Sequence, residues 1–130
     1  MITSTQIMAH VIGDYFLQSG WMANNKTKRS LPALVHAIVY FVPFLVMLNP
    51  SFVASVVIIG THFSIDRWRL ARYVAYAKEF LAPPSEWKPW RECATTGFHQ
   101  DTPAFLAVWL MIIIDNGLYI MINALALLYL

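Results

Sequence analysis

Apolar residues fill four long stretches of this chain, and in each of them polar side chains recur at helical spacing. The stretches cover about residues 2–18, 31–48, 51–67 and 103–130. Spanning a bilayer as a helix takes roughly 20 mostly apolar residues, so each stretch is expected to be a transmembrane helix. The first is the most polar, with Thr3, Ser4, Thr5, Gln6, His10 and Asp14, and needs neighbours to shield that face. Pro32 suits a first helical turn. Pro43 should kink the second helix, and Asn49-Pro50-Ser51 reads as a turn. After the third stretch the sequence RLARYVAYAKEFLA keeps a helical pattern up to Pro83-Pro84, as an interfacial helix would. Residues 83–102 are polar and proline-rich and read as an extramembrane loop. Trp87 and Trp90 suit the headgroup level. The expected fold is all-α: a polytopic integral membrane protein, one domain over residues 1–130, built as a compact bundle of four transmembrane helices.

Composition strengthens the membrane reading. Hydrophobic residues make up 58% and charged residues 12%, where a soluble domain carries about a quarter charged. The single cysteine, Cys93, excludes an internal disulfide and a multi-cysteine zinc site, and is expected to be an inert thiol. The first ten residues, MITSTQIMAH, lack the basic start and cleavage motif of a signal peptide. All nine basic residues fall in two places. Lys26, Lys28 and Arg29 follow the first stretch. Arg67, Arg69, Arg72, Lys78, Lys88 and Arg91 follow the third. With four crossings both regions share a side, which the positive-inside rule makes cytoplasmic. The expectation is an inner (cytoplasmic) membrane protein with both termini outside the cytoplasm. Topology accounts for the basic residues without invoking nucleic acid.

The polar positions carry the candidate chemistry. Residues four apart on a helix lie about 40° apart around its axis. His10, Asp14 and Gln18 then share one stripe, His36 and Tyr40 a second, His62 and Asp66 a third, and Asp115, Tyr119 and Asn123 a fourth. Ionisable groups within spans usually face a bundle interior, so the four stripes are expected to converge. Imidazole and carboxylate together suit zinc, manganese, iron or nickel. His10, Asp14, His62, Asp66 and Asp115 are the expected ligands of a divalent metal. His36 and Asp115 are the expected catalytic groups, His36 as ligand or general base. Without a metal the same residues would form a structural polar network or a proton path.

The segments AHVIGDYFLQSGWMANNK, LVHAIVYFVPF, THFSIDRWRLARY, FLAP and FLAVWLMIIIDN resemble the small bacterial and phage membrane proteins grouped as domain of unknown function 3307. The resemblance covers nearly the whole chain and looks closest to phage-encoded members. The family's motif positions fall on His10, Gly13, Asp14, Gln18, His36, His62, Asp66 and Asp115. Members often carry a histidine one turn after the last aspartate, where this chain has Tyr119. A looser likeness exists to membrane-bound metal-dependent hydrolases with His/Asp motifs. Two functions are therefore expected in competition. One is a metal-dependent hydrolase of a lipid or lipid-linked substrate. The other is a small homo-oligomeric ion or proton channel or carrier, or a phage effector that binds a host protein.

Overall fold

The computed structural model describes all 130 residues, and every regular element is helical. Helix α1 (Ser4–Val11) opens on Thr3, whose hydroxyl accepts the Gln6 N–H at 3.2 Å. It runs into one wide π turn, Ile12–Phe16, closed by the Leu17 N–H on the Ile12 carbonyl. Helix α2 (Gly20–Asn25) is capped by the Ser19 hydroxyl and buries none of its residues. Helix α3 (Ser30–Leu48) accommodates Pro32 in its first turn and Pro43 in its interior, and ends on Asn49 at φ 44°. Asparagine is one of the few side chains that visit this left-handed region readily. Helix α4 (Phe52–Trp68) starts on Ser51, whose hydroxyl accepts the Ala54 N–H.

The helical pattern after the third stretch does not run on unbroken. Arg69, at φ 53°, ends α4 in a left-handed cap. Helix α5 (Ala71–Lys78) then restarts, burying Ala71 and Ala75. Short 3-10 turns at Glu79–Leu81 and Pro84–Glu86 lead to α6 (Trp90–Cys93) and α7 (Ala104–Tyr129).

The chain divides into two units. The first is Met1–Arg69 with Tyr119–Leu130, and the second is Leu70–Leu118. In the first unit Ala9, Tyr40, Phe41, Phe44, Ala54, Ile58 and Ala126 form the core. Alanines at 9 and 54 let the backbones of α1 and α4 come near the large rings on α3. The second unit buries Ala75, Phe98 and Ala107, with Leu110 and Ile114 against them. Cys93 is buried here as a free thiol. Burial, and then the nearby Glu79 and Glu92, push its pKa up, as befits an unreactive group.

Gly97 is the tightest point of the second unit. Its φ is +89°, and a Cβ there would collide with the Arg72 carbonyl and the Ala75 methyl. Gly97→Ala should destabilise this unit by about 2–4 kcal/mol, from the left-handed conformation and the overpacking together. Hydrogen exchange should show faster exchange over residues 71–98 with α3 unchanged. Unaltered exchange in α5 would refute the prediction.

The expectation of four transmembrane helices is not met. Only Ser30–Leu48 and Ala104–Tyr129 are long and apolar enough to cross a membrane. The first stretch fails because its polar residues and its π turn leave an α-helix of 8 residues. The third fails on length. Its helix has 17 residues, about 26 Å of rise against a hydrocarbon core of about 30 Å. With four crossings gone, the side on which each loop lies no longer follows from the count. The two apolar helices differ in what covers them: 44% of the α3 window is buried but only 11% of the α7 window. Helix α3 is thus partly a core helix, whereas α7 exposes Phe105, Trp109, Ile113, Met121, Leu125 and Leu128.

Candidate metal centre

The π turn decides what the first helix contributes. A π turn inserts an extra residue into the helical ladder and often marks a functional site. It begins two residues after His10 and contains Asp14, so these residues do not act as one stripe. His10 Nδ1 lies 2.9 Å from the Tyr40 hydroxyl. That hydroxyl also accepts the Asn123 amide at 2.6 Å. Asp14 instead reaches α3, with Oδ1 3.2 Å from His36 Nε2. The turn closes down on α3 because residue 13 is glycine. A Cβ there would run into the Tyr40 backbone and ring.

Helix α4 supplies His62 and Asp66 one turn apart, as their spacing requires. The His62 ring is clamped between two tyrosines, stacked on Tyr40 at 3.7 Å and on Tyr119 at 4.1 Å between centroids. Both contacts fix the ring plane and aim Nε2 at His36 Nε2, 3.0 Å away. The Tyr119 hydroxyl donates to Asp66 Oδ1 at 3.0 Å. Gln18 donates to the Asp14 carbonyl, and Gln6 to the carbonyl of Ile120.

Four donor atoms thus crowd one small volume: Asp14 Oδ1, His36 Nε2, His62 Nε2 and Asp66 Oδ2. His36 lies 3.2 Å from Asp14 and 3.3 Å from Asp66. His62 lies 3.9 Å from Asp14 and 3.3 Å from Asp66. A tetrahedral centre with bonds of about 2.0–2.1 Å has donor-to-donor edges of roughly 3.3–3.4 Å. The three edges among Asp14, His36 and His62, at 3.0, 3.2 and 3.9 Å, are of that scale. Asp14, His36 and His62, all buried and with donor atoms within 4.8 Å of one another, can hold a metal ion. Asp66 Oδ2 is buried and has no hydrogen-bond partner, although both imidazoles lie beside it. The Nδ1 atoms of His36 and His62 are also unpartnered.

One member of the cluster was not legible as such. Lys26 reads in the sequence as a loop charge. In the structure its ammonium lies 2.9 Å from Asp66 Oδ1, 3.2 Å from His36 Nε2 and 3.9 Å from Asp14 Oδ1. The only sequence signal for it is a need: two buried carboxylates call for a nearby cation, and the first loop offers few. Burial raises the pKa of Asp14, but His36 and then Lys26 more than offset it, and the carboxyl lies below its ordinary value. Asp66 is depressed further, since burial is outweighed by His36, His62 and Lys26 together. Burial lowers His62, against the pull of Asp66. An ionised carboxylate and a neutral imidazole are the forms in which these groups bind metals, and Asp14, Asp66 and His62 are shifted toward them.

Asp115, four residues before Tyr119 on α7, is half-buried and belongs to the second unit. His99 and Asp101, loop residues in the sequence, pair with each other at 3.2 Å, and His99 pairs with Glu92 at 3.0 Å.

No curated protein and no solved structure matches this chain. Residues 2–127 match the model of the family described as protein of unknown function (DUF3307), and the chain belongs to that family.

Proposed function

We propose that this protein is a membrane-associated, metal-dependent hydrolase whose divalent ion is held by Asp14, His36 and His62. The observation that carries this reading is the grouping of the Asp14, His36 and His62 donor atoms within 4.8 Å of one another, with Asp66 Oδ2 buried beside both imidazoles. Three protein ligands leave a fourth position, as catalytic zinc sites do. The bound ion would supply a water of lowered pKa. Asp66 would accept that water's proton, with the Tyr119 hydroxyl holding its other oxygen. Tyr40 and Tyr119 fix His62 by stacking, and His10 fixes Tyr40. Zinc, manganese, iron and nickel all suit this donor set.

The surroundings favour an anionic lipid or lipid-linked ester as substrate. Arg67 binds the Thr27 carbonyl at 3.2 Å and the Ser30 hydroxyl at 3.3 Å. The end of α4 therefore abuts the 26–29 loop and brings Arg67, Lys28 and Arg29 together near Lys26. Such a basic rim attracts phosphate, and the exposed apolar face of α7 suits a bilayer.

Elemental analysis of the detergent-purified protein should find close to one transition metal per chain. A chelator should lower the melting temperature, and one preferred metal should restore it and support hydrolysis of an anionic phospholipid in mixed micelles. Absence of stoichiometric metal, with a melting temperature indifferent to chelator and added ions, would sink the proposal. It would leave a second reading, a polar network or proton path closed by Lys26, which the 2.9 Å Lys26–Asp66 pair favours.

A further inference from the structure

Lys26 occupies the ground that a metal ion would need. Its ammonium approaches Asp14 Oδ1 and His36 Nε2, two of the three grouped ligand atoms, and pairs with Asp66. With its ammonium 3.2 Å from His36 Nε2 and 2.9 Å from Asp66, Lys26 leaves no room for an ion among these atoms. Charge points the same way. Two carboxylates and a divalent ion are neutral together, and an added ammonium would leave a buried excess of positive charge, which is costly without a partner. Lys26 also sits on a short, unburied element. It caps the short helix α2, which buries none of its residues, and its side chain is 15% exposed.

We propose that Lys26 is a tethered cation that holds the site in the absence of metal, is expelled when the ion enters, and so sets the site's affinity. This rests on the metal reading above. The bond that Lys26 makes to Asp66 is replaced on loading by contact with solvent or with an anionic headgroup at the basic rim. Lys26 thereby couples metal loading to a rearrangement of the 26–29 loop.

The test uses the full chain in detergent and zinc alone. Zinc affinity is measured by competition with a chromophoric chelator for wild type, Lys26→Gln and Lys88→Gln. Lys88 is exposed and serves as the control. Lys26→Gln should bind zinc about tenfold tighter or more, and Lys88→Gln should match wild type. An amine-reactive label on the wild type, read by mass spectrometry, gives a second measurement that needs no variant. Lys26 should be protected relative to Lys88 without zinc and become reactive when zinc saturates. Wild type that binds zinc while Lys26→Gln gains nothing, or Lys26 labelling that zinc leaves unchanged, overturns the tethered cation alone. Wild type that binds no zinc overturns the metal reading and this inference with it.

Discussion

Gly13→Ala should be the most disruptive small substitution in the chain. The added methyl would meet the carbonyl of Tyr40, with the Tyr40 Cα and Cδ2 both at 3.0 Å. Backbone cannot step aside as the end of a flexible side chain can, so the π turn must lift from α3. Overpacking of this kind costs about 1–3 kcal/mol, occasionally more. Two further losses add to it here, because the turn carries Asp14 and Tyr40 holds both His10 and the His62 ring. The melting temperature should fall steeply, and metal content should fall with it. Gly60→Ala is the control. Nothing lies within 4 Å of a Cβ at that position, and alanine in a helix interior gains up to about 1 kcal/mol over glycine. If the two variants melt alike, the close approach of the π turn to α3 is not what holds the site.

The contrast shows which parts of the fold the sequence discloses. The helical nature of the four apolar stretches is plain from their periodicity, and the turn at Asn49-Pro50-Ser51 is plain from its residue types; helices α2 and α6, in polar segments, are not. Length in the membrane is not. Residues 2–18 look like one span by composition, yet the π turn at Gly13 and Asp14 divides them, and no local residue pattern announces a π turn. The end of α4 is hidden for a related reason. Arg69 takes a left-handed conformation that a sequence reader would assign to glycine or asparagine. The pattern beyond it still looks helical because a new helix does begin at Ala71.

The site was legible in part. His36, Asp14 and His62 come together from three separate segments, and the helical stripes give the reason, since each carries its polar group on one face. Spacing could not reveal that His10 would turn to Tyr40, because the four-residue rule assumes an unbroken α-helix. Nor could it reveal that Tyr119 would bind Asp66 across 53 positions of sequence. The Tyr119 ring supports His62 while its hydroxyl holds Asp66. Lys26 was the hardest to see. A lysine in a loop is ordinarily a solvated charge, and only the two carboxylates gathered by tertiary packing give it another place to go.

Asp66→Asn and Asp14→Asn should separate the two jobs that carboxylates do here. With a chelator present, Asp66→Asn should lose about 2–4 kcal/mol of stability, because it strands the Lys26 ammonium and breaks a buried pair. Asp66 is the partner at 2.9 Å, and Tyr119 and both imidazoles surround it. Asp14→Asn should lose only about 1 kcal/mol. Its oxygen is 3.9 Å from Lys26, and an asparagine oxygen can still accept from His36 at the existing 3.2 Å. Metal should reverse the ranking. Asp14 is one of the three grouped ligands, and a neutral amide is a poor substitute for a carboxylate on a divalent ion. The thermal gain on adding zinc should therefore vanish in Asp14→Asn. It should persist in Asp66→Asn, whose hydrolytic activity should nonetheless be lost, because the proton acceptor is gone. Thermal melts of both variants, with chelator and with saturating zinc, make the comparison. Equal losses under chelator would show that Lys26 does not favour Asp66. Equal responses to zinc would show that Asp66 is a ligand rather than the base beside it.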